Sequence, residues 1–445
     1  MAKKSLAMDI IIAGAGKVGY KLAQTLSIKH NVTIIDRNSE ALQRLQESID
    51  VLPILGDIEN PATYKHLDGR YDIFIAVTDN DEANILSTLI ADDEIDVAKK
   101  IIRLRNPYFA KSSIASKLGI DAAVFPFSLT AASVGALLDF SKANNVKEFI
   151  FTSFKLISVR VNEPLYKSIQ EIEAKALKVV GIERKKRFFI PDAQERLEDG
   201  DLIYLFGDEQ QIRQVCAKIN KSDPKEIKRA AIFGADLLGL EIAKIFLQKG
   251  IVLKIIETDP KKCKKASEVL QDRATIINSK YIEHEIYEEE NIRFADMVVA
   301  TSSDDEVNII ECLQAGEYGV KKRIAINNDL AFYDLMHKLQ IIAIRGPKTS
   351  AYYAILEKLA SSNIVTEKHY CGGRGAIFMR KIFDDSILVY KTIKPLYLDD
   401  TALFYIRDNH IFAFDKKLQL EPEDIIVVFL KSYQEERVKK WIFNL

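Results

Sequence analysis

Residues 9–19 read Asp-Ile-Ile-Ile-Ala-Gly-Ala-Gly-Lys-Val-Gly, an apolar strand running into G-x-G-x-x-G at Gly14, Gly16 and Gly19. A strand before the glycines and a helix after them is the context in which this spacing carries information. Gly14 permits the tight turn, Gly16 lets the backbone approach a pyrophosphate, and Gly19 lets the helix pack on the strand. The helix N-terminus then offers free N–H groups and the positive end of its dipole to phosphate. Asp36 closes the next apolar run, 22 residues after Gly14. A carboxylate there accepts hydrogen bonds from ribose hydroxyls and repels a 2′-phosphate. NAD(H) is therefore expected over NADP(H), with Arg37 the one neighbour that argues against the preference.

Around this core, apolar runs of strand length fall at 9–13, 32–36, 51–55, 72–77, 100–104 and 122–125, with helical patterns at 17–29, 39–48, 81–94 and 111–118. Near-continuous apolar strands alternating with amphipathic helices predict a parallel sheet covered on both faces. Right-handed crossovers make it doubly wound and Rossmann-like. A longer helix is expected at 129–145, then a small β-rich module with a short helix at 166–173, strands at 177–184, 187–191 and 201–207, and a turn at Glu198-Asp199-Gly200-Asp201. The polar, Pro224-containing stretch 220–228 reads as a linker.

The alternation then restarts. Residues 229–239 read Arg-Ala-Ala-Ile-Phe-Gly-Ala-Asp-Leu-Leu-Gly, so that Gly234 and Gly239 stand 220 positions after Gly14 and Gly19. Asp236 takes the place of the middle glycine, and the acid position survives as Glu257. The segment Thr78-Asp79-Asn80-Asp81-Glu82-Ala83-Asn84 resembles residues 301–308, and aligning 99–105 with 321–327 puts Ala325 opposite Arg103. A side chain and a charge where a pyrophosphate would lie cost on the order of several kcal/mol in a partly dry site. The second copy is thus expected to bind a dinucleotide weakly or not at all. A second small module from about residue 367 repeats the first, its turn at 420–424 matching that at 197–201.

The expected architecture is α/β: two Rossmann-like doubly wound parallel-sheet domains, 8–145 and 228–350, each followed by a small α+β domain, 146–220 and 365–445. Bulk composition fits. The 445 residues carry 63 Lys+Arg against 64 Asp+Glu, so there is no basic excess pointing to nucleic acid or anionic lipid. No apolar stretch approaches the roughly 20 residues of a membrane-spanning helix. Cys216, Cys263, Cys312 and Cys371 are scattered and read as reduced packing residues.

Asp57, Thr78, Asp79 and Arg103 lie at or just beyond C-terminal ends of expected strands, where ligands bind in such sheets. Each alone also reads as a cap or turn former. Catalysis has little support. None of His30, His66, His284, His337, His369 and His410 sits in a metal spacing or beside an evident acid–base partner, and no G-x-S-x-G or P-loop lysine motif occurs. No catalytic residue and no metal ligand is assigned. Cys371-Gly372-Gly373-Arg374-Gly375 reads as a glycine turn rather than a reactive loop.

Residues 9–125 resemble the KTN/RCK nucleotide-binding domain, through the glycine strand, Asp36, Gly56-Asp57, the Thr78–Asn84 segment and Arg103-Leu104-Arg105-Asn106-Pro107. Residues 148–218 and 367–445 resemble its companion C-terminal domain, and the duplicated order is similar to the TrkA-type regulatory subunits of potassium uptake. The resemblance implies a non-enzymatic, cytoplasmic, nucleotide-binding subunit, peripheral on the inner face of the membrane. Such subunits form a ring, expected as a tetramer of tandem chains, under a potassium-translocating membrane protein of TrkH/TrkG or KtrB type. It implies NAD(H), with ATP or ADP at the same site, held by Gly14, Ala15, Gly16, Lys17, Val18, Asp36, Asp57, Thr78, Asp79 and Arg103. Two alternatives stay open: a NAD-dependent oxidoreductase, and a nucleotide sensor acting on another partner.

Overall fold

The computed structural model describes residues 7–445 apart from 68, 141–142, 150, 163, 165, 167, 220–225, 280–284, 360–364, 385 and 444. Most of the expected linker at 220–228 therefore lies outside the described residues. The chain divides into two compact units. One comprises residues up to Ala131 together with Arg345–Leu359, and the other comprises Ala132–Ile344 with Ala360–Leu445.

The first unit is built on six parallel strands, β1 (Asp9–Ala13), β2 (Asn31–Asp36), β3 (Leu52–Leu55), β4 (Arg70–Ala76), β5 (Asp96–Arg103) and β6 (Ala122–Val124), in the order β3-β2-β1-β4-β5-β6. Alternate residues of the central strands feed two cores. Ile10, Ile12, Ile34, Ile73 and Ile75 face one side, and Ile11, Ile35, Phe74 and Ile102 the other. This two-sided burial is why the strands read as unbroken apolar runs. The helices start on side-chain caps. Asn38 accepts from Ala41 N, and Asn80 from Ala83 N, with Asp81 and Glu82 in the first turn of helix Asp81–Glu94. The helix expected at 111–118 shrinks to Ile114–Lys117 behind a 3₁₀ turn at Pro107–Lys111.

One face of this sheet is completed from far along the chain. Helix Pro347–Leu359 buries Ala351, Ile355 and Leu359 against Val18, Leu22 and Leu26, and Tyr352 shares a 2.7 Å hydrogen bond with Thr25. Lys99 on β5 donates to the carbonyl of Lys358 in its last turn.

The second unit contains β7 (Ala143–Glu148), β8 (Lys155–Arg160), β9 (Leu177–Arg184), β10 (Arg187–Phe189) and β11 (Leu202–Gly207). Next come β12 (Arg229–Phe233), β13 (Val252–Glu257), β14 (Thr275–Asn278), β15 (Met297–Ala300), β16 (Lys322–Asn327) and β17 (Ile342–Arg345). It ends with β18 (Val365–Tyr370), β19 (Gly375–Lys381), β20 (Thr401–Arg407), β21 (His410–Ala413) and β22 (Ile425–Lys431). Strands β12–β17 repeat the first sheet's order, β14-β13-β12-β15-β16-β17. The C-terminal half of helix Pro126–Asp139 packs on this sheet, so close at Gly135 that a Cβ there would lie 2.6 Å from Ile245 Cγ2. Lys322 on β16 donates to the carbonyls of Leu137 and Phe140 at its end, 3.1 and 3.4 Å away. Lys99 and Lys322 thus hold matching helix ends. Helix Pro347–Leu359 lies in the first unit, whereas helix Pro126–Asp139 is divided after Ala131, its C-terminal part in the second.

That capping also corrects the helix expected at 129–145. It runs from Pro126 and stops at Asp139, and residues 143–148 become β7, paired antiparallel with β8. The short helix expected at 166–173 is a 3₁₀ turn at Ile169–Glu171, with 167 outside the described residues. The two five-stranded sheets have one topology, β10-β9-β11-β8-β7 and β21-β20-β22-β19-β18. Both close with the same bidentate pair, Arg184–Asp201 and Arg407–Asp424, the acid also accepting from the backbone N–H of Glu198 or Glu421. Phe188, Tyr204 and Phe206 of one sheet share a core with Tyr370, Ile377 and Phe429 of the other.

Candidate functional site

At the C-terminal ends of β1, β2, β4 and β5 a cavity of about 520 Å³ opens, at the switch point where strand order reverses. It is lined by Gly14, Gly16, Lys17, Val18, Asp36, Asp57, Thr78, Asp79 and Arg103 among others. Nine of the ten residues expected from sequence therefore converge. The tenth, Ala15, is joined to them through its backbone, which donates to Asp36 Oδ2 at 2.6 Å.

The three glycines do different work. Gly14 sits at φ +112°, and a Cβ on Gly19 would fall 1.8 Å from the Gly14 carbonyl oxygen. Both positions are forced by backbone geometry, and Gly234 (φ +108°) and Gly239 repeat them. A Cβ on Gly16 would meet nothing within 4 Å, since that position faces open space. It is the only one of the three that the second copy changes. There Asp236 caps helix Leu237–Gln248, accepting from Gly239 N at 3.2 Å. Burial raises its carboxyl against the lowering pull of that hydrogen bond.

Arg103 ends β5 almost wholly buried. Its NH1 donates to Asp79 Oδ1 at 3.0 Å, and its Nε has no acceptor. Burial works against ionisation on both sides of this pair. For Arg103 burial prevails and its pKa falls, whereas the Arg103 charge prevails at Asp79 and holds that carboxyl below its ordinary range. A buried guanidinium that lines the same cavity as the glycine turn fits an anionic phosphate group.

Asp36 has a structural duty besides any ligand. Its two oxygens accept from Ala15 N and Asn38 N, and Glu257 repeats both bonds to Ala235 N and Asp259 N. Glu257 is buried where Asp36 keeps part of its surface open. Asp57 is exposed and accepts from Glu59 N, forming the turn after β3. Thr78 donates its backbone N–H and its hydroxyl to Asn84 Oδ1, while Asn84 Nδ2 donates to the carbonyls of Thr78 and Arg103. Asp81 accepts from Arg105 N and Asn106 N. The 78–84 motif is thus a set of pins holding the ends of β4 and β5 in place.

The same pins correct the alignment of the copies. Asn308 bonds Ser302 and the carbonyl of Ile326, so Ser302 stands for Thr78 and Ile326, not Ala325, for Arg103. Gly16, Arg103 and Asp79 correspond to Asp236, the buried apolar Ile326 and Ser303. Lys348, at the start of helix Pro347–Leu359, also lines the first cavity and was not foreseen. Its one sequence signal was the pair Pro126 and Pro347, which open equivalent helices. Cys371 is no reactive thiol. It lies buried in a glycine turn and donates to Glu183 Oε2 at 3.2 Å, and burial and that carboxylate push its pKa up.

A model described as the TrkA-N domain matches residues 10–126 and again 230–346, and one described as the TrkA-C domain matches 156–220. The chain belongs to the TrkA-N domain family. Its two TrkA-N segments hold the two parallel sheets, and the TrkA-C segment holds β8–β11. The chain is 27% identical over 442 residues to the Trk system potassium uptake protein TrkA homolog of Archaeoglobus fulgidus, covering 97% of this chain and 99% of that one. It is 25% identical to TrkA of Vibrio alginolyticus, covering 95% and 96%. Among solved structures, the GsuK RCK domain matches with TM-score 0.61 at 15% identity over 99% of this chain and 96% of that one. The GsuK channel bound to NAD matches with TM-score 0.62 at 16% identity, covering 99% and 80%. At these identities the structural likeness speaks for the fold. No described helix is long and apolar enough to cross a membrane.

Proposed function

We propose that this chain is a cytoplasmic regulatory subunit of a potassium-uptake system and senses a nucleotide in the cavity of its first TrkA-N segment. The convergence of the glycine turn, Asp36, Thr78, Asp79 and Arg103 on one cavity carries the reading. The relatives named as TrkA support the potassium system, and they match 97% and 95% of this chain. In this proposal Gly14, Ala15, Gly16, Lys17, Val18 and Arg103 receive the phosphates, with Lys348 beside them. Asp36 takes the ribose hydroxyls with the acceptor capacity its two backbone bonds leave free. Asp57, Thr78 and Asp79 border the rest. NAD(H) is the first ligand, with ATP or ADP in the same place. The second TrkA-N segment serves as scaffold, because Asp236 and Ile326 replace the groups that would face phosphate.

A ligand moves an equilibrium only as far as it binds one state better. Nucleotide in the first segments of a ring, a tetramer of tandem chains, would bias the ring and hence a membrane protein of TrkH/TrkG or KtrB type. Affinity purification of the chain from solubilised membranes, with identification of what travels with it, tests this. A potassium-translocating membrane protein is the expected companion. Recovery of a soluble enzyme in its place would overturn the reading.

A further inference from the structure

Helix Glu435–Phe443 packs on β19 and β22, and side chains of its first turns reach β18, where three potential metal ligands meet. Glu367 and His369 are two apart on one strand and so project from one face. Glu435 opens the helix. His369 Nε2 lies 2.9 Å from Glu435 Oε1 and 3.5 Å from Glu367 Oε1. The three ligand atoms all lie within 4.8 Å of one another. The other oxygen of each carboxylate faces a lysine. Lys439 Nζ lies 3.0 Å from Glu367 Oε2 and 3.8 Å from Glu435 Oε2.

We propose that Glu367, His369 and Glu435 form a binding site for a divalent transition ion of the zinc type. A tetrahedral ion with bonds of about 2.0–2.1 Å spaces its ligand atoms roughly 3.3 Å apart. The imidazole-to-carboxylate separations bracket that spacing. One imidazole with two carboxylates suits zinc, cobalt or manganese better than calcium, which takes about six to eight oxygens and often chelates carboxylates through both. Here Lys439 engages both outer oxygens, so each carboxylate has one left to give. Lys439 offsets one of the two carboxylate charges, so a dication entering the cluster leaves it with one net positive charge. Three protein ligands leave a position for water, and all three residues keep part of their surface open. An ion here would tie the closing helix to the strand that starts the last module. This inference is independent of the nucleotide reading.

The competing account is a network of ion pairs and hydrogen bonds alone, with no metal bound. Calorimetric titration of the full chain with Zn²⁺ in excess Mg²⁺ separates the two. One saturable Zn²⁺ site per chain is expected, weakened about tenfold or more in His369→Ala and in Glu435→Gln. It should be unchanged in His410→Ala, a histidine on another strand. Should His369→Ala fail to fold, Glu367→Gln replaces it, and Co²⁺ absorption in the visible reads the same site. Absence of saturable Zn²⁺ binding, or binding that these ligand variants leave intact, overturns the proposal.

Discussion

The Arg103 guanidinium donates to Asp79 at 3.0 Å across a steep change in exposure, the arginine side chain 3% accessible and the aspartate 62%. The cation has been taken out of water for a partner that water still screens, and its Nε is left unmet. Such a pair is a weak source of stability. As a prepared receptor for an anion it makes sense, because the desolvation of the arginine is already complete before ligand arrives.

Removing that receptor should cost affinity. Arg103→Ala should weaken nucleotide binding by about 10- to 100-fold, equivalent to about 1.4–2.8 kcal/mol. Arg103→Lys should recover only part, since a point charge cannot reproduce the planar fork. Titration calorimetry reads both.

Gly16→Asp should copy the second half onto the first. Nothing lies within 4 Å of a Cβ at Gly16, so the chain should fold with its stability unchanged or raised by the new helix cap, by roughly a few tenths of a kcal/mol. Nucleotide binding should vanish. The reverse change, Asp236→Gly, should lose the cap and still bind no second nucleotide, because Ile326 remains. Urea denaturation and calorimetry together check the pair.

Glu311 gives a stability prediction with a pH sign. Burial, with the Glu257 carboxylate adding to it, raises Glu311 well above the carboxylate range, and neither of its oxygens has a hydrogen-bond partner. Above about pH 4.3 the unfolded chain releases a proton that the folded chain keeps, so stability falls as pH rises. Glu311→Gln removes that loss. Its urea midpoint should exceed the parent's near pH 8, by about 1–3 kcal/mol in stability, and the gain should shrink toward acid pH. A variant no more stable than the parent at pH 8 would contradict this.

His337 has the opposite sign. Burial lowers its imidazole, Arg160 and Arg374 add to that, and Glu183 and Asp334 pull the other way without prevailing. The neutral form is favoured in the fold. Below about pH 6.5 the unfolded chain takes up a proton that the folded chain refuses, so stability is full above that pH and falls with acidification. His337→Gln should flatten this loss between about pH 7 and 5 in urea titrations.

Much of this was legible in the residues, for physical reasons. Parallel strands buried on both faces announce themselves as apolar runs, so β1 and β2 fall at their expected bounds or within a residue of them. Gly14 and Gly19 were readable because backbone geometry forces them, and Asp236 because charge is incompatible with phosphate. The slip that set Ala325 against Arg103 came from aligning letters without the Asn84 and Asn308 hydrogen bonds that fix the strand ends. Lys348 was hidden because no local pattern shows that a helix 245 residues beyond Arg103 packs on the first sheet. The Glu367–His369–Glu435 cluster was hidden likewise, since strand and helix partners meet only in the fold.

The most direct measurement is the stoichiometry of NADH, NAD, ATP and ADP binding to the purified chain by isothermal titration calorimetry, beside the Gly16→Asp variant. One nucleotide per chain, lost in Gly16→Asp while the variant stays folded, is the predicted result. Two nucleotides per chain, or binding that survives Gly16→Asp, would contradict the assignment of sensing to the first copy alone.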